Sequence, residues 1–384
     1  MPNSFSDCIA HLQRKVARRG INYSLDRLST ALIALNKPEQ SLPTTIHIAG
    51  TNGKGSVAHY INQALIYQNC SVLSYTSPHI NCYTERFVIN GRPINKQDFC
   101  DLFYTVNESD SDDMLSEYEI LTLMALFYAN QSSIDFLILE TGLGGRLDAT
   151  NVIPNSIAVI TDIGLDHCDI LGHSITEIAT EKAGIIKQNS SIITHSDLPP
   201  EVKAIIISSA NAKQATIDFT PEVSCASFHE RNKALAKQTC HHISIPTHNN
   251  LANYIDDCFP PTGRMSSFDY LGTPCTIDVG HNVNAVQAIL SSHSSTPFSW
   301  IIGMQQKKDY LAVIQQLIDH HQIIYLCNFD PLRSVSIDQV PTSLNASISS
   351  WEIGDQIPEN CLFFGSFFFI EALVSFQKSI KMSI

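Results

Sequence analysis

The sequence predicts an α/β protein with a doubly wound first domain and a second, smaller α/β domain, and three observations carry that prediction. Short apolar runs alternate with helical patterns along nearly the whole chain. The stretch His47-Ile-Ala-Gly-Thr-Asn-Gly-Lys-Gly-Ser56 passes from an apolar strand through glycines into a helical pattern. Residues 259–264 (FPPTGR) break the alternation, which then restarts. The expected organisation is a larger domain over 1–258 and a smaller one over 259–384.

At 384 residues with 44% hydrophobic content, two buried cores are affordable in composition. Only 16% of residues are charged and the net charge is −13, which argues against a general nucleic-acid or anionic-membrane binder. The 11 cysteines have no regular spacing and an odd count, so they do not read as a disulfide framework. Residues 1–20 are polar and carry Arg14, Lys15, Arg18 and Arg19, without the apolar block of a signal peptide. No apolar run is long enough to span a bilayer. A cytoplasmic, monomeric protein is the expectation.

In chain order, residues 24–35 show helical spacing, closed by Lys37-Pro38 ahead of a strand at 45–48. The glycine-rich turn follows. Gly50, Gly53 and Gly55 let backbone N–H groups converge on an anion, Lys54 adds a mobile charge, and the next helix, expected from Ser56 to about 69, offers its N-terminus. The Ser56 hydroxyl is placed to help a nucleotide-bound Mg²⁺. The stretch departs from G-x-x-x-x-G-K-[ST], having Ile48 and Gly55 at the first and last positions.

A strand at 71–75 leads to a loop with Ser77 and His79, then to a hairpin signal at Asn90-Gly91. Helices are expected at 95–107 and 117–130, the second apolar on most faces. The strand at 136–140 ends in Glu140, where a carboxylate can reach a metal held on the neighbouring loop. Arg146 and Asp148 beyond it could form an ion pair. The strand at 157–162 is followed by His167, the helix at 174–184 carries Lys182, and a strand at 191–195, a helix at 200–210 and a helix at 228–240 complete the domain. Beyond 264, strands at 276–278, 298–302, 323–327 and 362–364 suggest four or five strands in the second domain.

Taken together, AGTNGKGS, TSPHI, YTERFVINGRPI, LETGLGGRLDATN, LDHCDILG, EKAGIIK, PTGRM and DVGHN resemble the dihydrofolate synthase / folylpolyglutamate synthase family of the Mur ligase superfamily, over about 21–366. The resemblance implies a P-loop-containing doubly wound ATPase domain and a smaller Rossmann-like α/β domain. It implies an ATP- and Mg²⁺-dependent amide ligase whose substrates are 7,8-dihydropteroate, reduced folates and L-glutamate.

Carried over position by position, the ATP loop falls on Gly50, Thr51, Asn52, Gly53, Lys54, Gly55 and Ser56, with further nucleotide contacts at Asn232, Arg264 and Asp278. Mg²⁺ ligands fall on Ser77, Glu140 and His167, and Lys182 matches a carbamylated lysine that serves a second Mg²⁺. Lys54, Lys182 and His281 are the implied catalytic residues, with His281, Asp278 and Ser366 near the incoming glutamate. The pterin side is expected at Asn22, Tyr23, Ser24 and Leu25, at Ser116, Glu117, Tyr118 and Glu119, and at Leu147. The chain departs from the family pattern at Asn22-Tyr-Ser-Leu25 and at Lys307-Lys308-Asp309, and has DVGHN for DGAHN.

A peptidoglycan Mur ligase fits less well, since the phosphate loop begins at Gly50 and leaves no room ahead of it for a UDP-sugar domain. A synthase that makes only dihydrofolate, and a nucleotide-binding regulatory relative without turnover, are the remaining alternatives.

Overall fold

The computed structural model describes residues 4–18, 25–110, 113–222, 227–243, 250–292 and 298–381. The implied pterin residues Asn22, Tyr23 and Ser24 lie outside them. The chain divides into two compact units, Met1–Cys225 with Glu230–Cys258, and Ala226–His229 with Phe259–Ile384.

The first unit is built on one eight-stranded sheet: β1 (Thr44–Ala49), β2 (Val72–Tyr75), β3 (Phe87–Ile89), β4 (Arg92–Pro93), β5 (Phe136–Glu140), β6 (Ile157–Ile160), β7 (Ser191–Thr194) and β8 (Thr216–Phe219). Their order is β4-β3-β2-β5-β1-β6-β7-β8. β2, β5, β1, β6, β7 and β8 run parallel, and the β3–β4 hairpin is antiparallel at one edge. The hairpin turns at Asn90 (φ 47) and Gly91 (φ 80), two left-handed residues as a tight turn of this type requires. β8 is a strand that the sequence pattern did not reveal.

Among the described residues of this stretch the α-helices are α1 (Phe5–Arg18), α2 (Asp26–Ala34), α3 (Lys54–Tyr67), α4 (Lys96–Asn107), α5 (Glu117–Gln131), α6 (Cys168–Leu171), α7 (Ile175–Ala183), α8 (Pro200–Ala212), α9 (Phe228–His242) and α10 (Leu251–Asp257). The central strands are covered on both faces, so successive side chains enter different cores. Leu137 and Leu139 of β5 pack with Leu121, Met124 and Ala125 of α5, while Ile138 between them packs with Ile61 and Leu65 of α3. Ala158 and Ile160 of β6 join Ile178 and Ala179 of α7. Continuous apolar strands are the outcome, and α5, buried on nearly every face, is apolar all round for the same reason.

Two helices begin at capping boxes, Ser116 with Glu119 on α5 and Ser174 with Glu177 on α7. α3 starts at Lys54, two residues before the expected Ser56, because Gly53 takes the left-handed conformation that turns the chain into the helix.

The second unit holds β9 (Ser266–Tyr270), β10 (Thr273–Asp278), β11 (Ser299–Gly303), β12 (Ile323–Cys327), β13 (Ile348–Trp351) and β14 (Cys361–Gly365), in the order β13-β12-β11-β14-β10-β9. Six strands stand where four or five were expected. β9 pairs antiparallel with β10 and the other pairings are parallel. Helices α11 (Val283–Ser292), α12 (Tyr310–Asp319), α13 (Thr342–Asn345) and α14 (Phe367–Lys381) complete it, around a core that includes Trp300, Ile302, Val313, Leu317, Leu326 and Phe364.

Candidate active site

The parallel order brings four loops to one sheet edge. Ser77 follows β2, Glu140 ends β5, Gly50 follows β1 and His167 lies beyond β6, and those four strands are consecutive neighbours. The carboxyl edge of an open α/β sheet is where ligands collect.

The loop from Gly50 to Gly53 is pinned to the segment after β6. Thr51 N donates to the Asp162 carbonyl (2.7 Å), the Thr51 hydroxyl donates to the Gly164 carbonyl (3.0 Å), and the Thr161 hydroxyl donates to the Asn52 carbonyl (2.7 Å). A Cβ at Gly50 would sit 1.8 Å from Thr161 Oγ1. One at Gly53, whose φ is +90°, would sit 2.5 Å from Asn232 Oδ1. Glycine is required at both by close approach, and at Gly53 by backbone angle as well.

Two ammonium groups converge on this loop. Lys54 Nζ donates to the carbonyls of Gly50 (3.0 Å) and Thr51 (3.3 Å), and Lys182 Nζ donates to the same Gly50 carbonyl (2.7 Å). Lys182 is buried, so its position near the end of α7 does not simply complement the helix dipole. Burial first, then the neighbouring Lys54 charge, pushes its pKa from 10.5 down to about 7, with Asp166 and Asp148 opposing.

Glu140 is buried, and one of its oxygens accepts from Ser77 N (3.1 Å). The Ser56 hydroxyl at the head of α3 and the Thr141 hydroxyl after Glu140 are buried without a hydrogen-bond partner. Orphaned hydroxyls beside a carboxylate-bearing strand end are oxygen donors of the kind a hard divalent cation takes, so the residues fit Mg²⁺. His167 is half-exposed in left-handed backbone at the start of α6, with Nε2 3.9 Å from Asp166 Oδ1.

The Glu140 loop and the Lys182 helix interlock. Arg146 N donates to the Glu181 carbonyl (2.8 Å), and its guanidinium reaches Glu181 Oε1 through Nε (3.0 Å) and a terminal nitrogen (2.9 Å). A Cβ at Gly145 would meet the carbonyls of Glu181 and Lys182 at 2.8 and 2.9 Å. Arg146 therefore pairs with Glu181 and not with Asp148. Asp148 is buried and accepts from Leu143 N (2.9 Å), Thr150 N (3.0 Å) and the Thr150 hydroxyl (2.5 Å). Burial raises its pKa, against those hydrogen bonds.

His47, on β1 just ahead of the loop, is fully buried with Nε2 2.8 Å from Thr150 Oγ1. Because Thr150 donates to the carboxylate, His47 donates through Nε2, and burial, aided by the Lys187 charge, pushes its pKa down to about 3. The sequence patterns pointed to neither His47 nor Thr150; a histidine inside an otherwise apolar strand was the available signal.

On the implied pterin side, Ser116 and Glu119 are engaged in the α5 capping box, and Glu119 also accepts from Arg27 (3.0 Å). Glu117 pairs with Arg86 (3.4 Å), whose Nε donates to His79 Nδ1 (2.9 Å). The Tyr118 hydroxyl lies 3.3 Å from both the Glu140 carbonyl and Asp148 Oδ1. Leu25 and Leu147 are partly buried.

Within the second unit, Asp278 ends β10 and accepts from Met265 N (2.8 Å) and Gly280 N (2.7 Å). Burial raises its pKa, with the Arg264 charge opposing. The Arg264 guanidinium lies 5.2 Å over the Phe367 ring. His281 Nδ1 is 3.0 Å from the Val279 carbonyl, and Ser366 is buried with its hydroxyl accepting from Phe369 N (3.3 Å).

A glycine-rich loop ending in lysine, set between a central parallel strand and a helix, defines a nucleotide-binding α/β protein, and residues 48–255 match the family model for the Mur ligase middle domain. The chain is 30% identical over 346 residues to the dihydrofolate synthase/folylpolyglutamate synthase of Buchnera aphidicola subsp. Acyrthosiphon pisum, covering 83% of this chain and 82% of that protein. It is 39% identical over 193 residues to the Bacillus subtilis protein of the same description, a match spanning 48% of this chain and 45% of the relative. Among solved structures, Escherichia coli FolC in complex with DHPP and ADP superposes with a TM-score of 0.86 at 24% identity, covering 98% of each chain. The chain belongs to the dihydrofolate synthase/folylpolyglutamate synthase family.

Proposed function

We propose that the protein is an ATP-dependent ligase that joins L-glutamate to 7,8-dihydropteroate, forming dihydrofolate, and extends reduced folates with further glutamates. The observation that carries this reading is the convergence of Lys54 and Lys182 on the Gly50 carbonyl, with the buried Glu140 on a neighbouring strand end. Relatives that span most of the chain bear the dihydrofolate synthase/folylpolyglutamate synthase name.

A carboxylate and an amine do not condense favourably in water, so the acid is first activated. Its oxygen takes the γ-phosphoryl group of ATP, giving an acyl phosphate and ADP. The glutamate amine then adds to the acyl carbon, loses a proton, and expels phosphate. Lys54 and the backbone N–H groups of residues 50–56 neutralise phosphoryl charge, which is the main demand of such a transfer. Ser56, Ser77, Glu140 and His167 would hold Mg²⁺, which would supply positive charge to offset that of the phosphates. Asn232, Arg264 and Asp278 would contact the nucleotide. His281 and Ser366 would serve the glutamate side, and Leu25, Tyr118 and Leu147 the pterin.

Lys182 is suited to carbamylation. A neutral amine adds to CO₂, releasing a proton and leaving an anionic carbamate, and with a pKa near 7 the amine is largely neutral in mildly alkaline solution. The carbamate would ligate a second cation where an ammonium could not.

The functional division proposed is 1–258 and 259–384. A monomeric, cytoplasmic enzyme goes with this reading; among the described residues no helix is long and apolar enough to cross a membrane.

The test is ADP release with Mg-ATP, 7,8-dihydropteroate and L-glutamate, each omitted in turn, then with a reduced folate in place of dihydropteroate. Release that needs every component supports the ligase, and release with the folate supports chain extension. Nucleotide binding without turnover on either acceptor would overturn it.

A further inference from the structure

Beside the phosphate loop, three side chains outside the roles above form a charged brace. Arg231, on α9, donates to Asp197 Oδ1 (2.8 Å) beyond β7 and stands 4.0 Å from Asp162 Oδ1 beyond β6. Asp162 is the residue whose carbonyl receives Thr51 N, so the guanidinium is anchored to the same segment that holds the loop. The next residue along α9 is Asn232. Its side chain is buried against Gly53, and its Nδ2 has no hydrogen-bond partner.

A buried, unpaired amide N–H calls for an acceptor. A carboxamide offers one donor and one acceptor side by side, the pair that the N7 and N6 edge of adenine complements. Such recognition depends on the amide being held at a fixed height over the loop. The backbone of α9 at this turn is tied to two strand ends through Arg231, one position before the amide.

We infer that Arg231 is a positioning residue for base recognition: its ion pairs to Asp162 and Asp197 fix Asn232 over Gly53, so that it controls adenine affinity without contributing to phosphate binding. The inference rests on the nucleotide reading of residues 50–56 and Asn232. It assigns Arg231 no contact with the ligand.

The experiment separates base from phosphate. Calorimetry measures ADP and inorganic tripolyphosphate on the full chain as wild type, Arg231→Met and Arg231→Lys. Arg231→Met is expected to bind ADP about fivefold more weakly, the scale of a half-exposed ion-pair network, with tripolyphosphate affinity within about twofold. Arg231→Lys, which keeps a charge between the carboxylates, recovers most of the loss. In turnover, the KM for ATP rises in Arg231→Met and kcat holds. Unchanged ADP affinity overturns the inference, as does equal weakening of both ligands, which would mark a general loosening of the loop. Should Arg231→Met not fold, Asp197→Ala removes the acceptor of the 2.8 Å pair alone and is read the same way. A wild type that binds neither ligand refutes the nucleotide reading itself and takes the inference with it, whereas a wild type that binds both isolates the role of Arg231.

Discussion

Lys182→Met should stabilise the protein while abolishing its turnover. The wild-type ammonium is buried, and its pKa is pushed from 10.5 to about 7, chiefly by burial. Unfolding restores the ordinary value, so between about pH 7 and 10.5 the unfolded chain holds a proton that the folded one lacks. Stability of the wild type therefore rises with pH across that window, and below it the full cost of burying the charge is felt. At pH 7 that cost is on the order of 4 kcal/mol. Methionine fills similar space without charge and forfeits one hydrogen bond to the Gly50 carbonyl, worth about 1 kcal/mol, while Lys54 continues to donate there. The net expectation is a variant about 3 kcal/mol more stable at pH 7, with the advantage shrinking by about 1.4 kcal/mol per pH unit above it. Urea unfolding followed by circular dichroism in CO₂-free buffer, without nucleotide, at pH 7, 8 and 9 measures both figures. A variant no more stable than wild type at pH 7, with a difference that does not move with pH, would refute the reasoning.

Lys54→Ala should lower kcat by about a hundredfold or more, since no other mobile cation on the loop can follow the transferring group; a rapid-quench ADP assay checks it. Gly53→Ala meets both a left-handed backbone, costing about 1–2 kcal/mol, and the Asn232 amide at 2.5 Å, so ADP affinity measured by calorimetry should fall about tenfold. Gly145→Ala places a methyl group 2.8–2.9 Å from two α7 carbonyls, so it should displace Lys182 and cost at least about tenfold in kcat, while thermal unfolding registers a loss of about 1–3 kcal/mol.

The parts of the fold that showed in the sequence are those where one local rule decides. β5 and β6 are buried on both faces and read as apolar runs, β1 does so apart from its threonines and His47, β7 keeps Ile192 and Ile193 between hydroxyl residues, and Asn90-Gly91 is a turn that those residues make by themselves. The elements that escaped notice have weak local signals. β8 and β13 are short, and β13 reads Ile-Ser-Ser-Trp. The β9–β10 hairpin turns on Leu271 and Gly272 at φ 53 and 85, and leucine is an uncommon residue in such a turn. α1 buries Cys8 and Leu12 at helical spacing, a pattern overshadowed by its basic residues.

The candidate site divides in the same way. The glycine-rich loop announces itself, because glycine, lysine and hydroxyl stand together. That Lys182 turns inward to the Gly50 carbonyl depends on how α7 packs beside β1, which no spacing along the chain records. His47, Thr150 and Asp148 likewise become one hydrogen-bonded chain only when β1 and the loop after β5 are side by side. The resemblance to a family supplied roles there, and the geometry replaced the Arg146–Asp148 pair with Arg146–Glu181.

The interlock of the Glu140 loop with the end of α7 has a consequence for recombination. Gly145 admits the α7 carbonyls, and Gly184 in turn admits the Arg146 side chain, where a Cβ would come within 2.4 Å. Asn151 closes the arrangement by donating to the carbonyls of Arg146 and Gly184. Each segment is the mould in which the other is cast. Chimeras of two family members that cross over between positions 151 and 181 would join mismatched halves of that mould, whereas crossovers outside 140–187 would inherit it whole; a shuffled library should therefore return active clones that share a single parent across the interval.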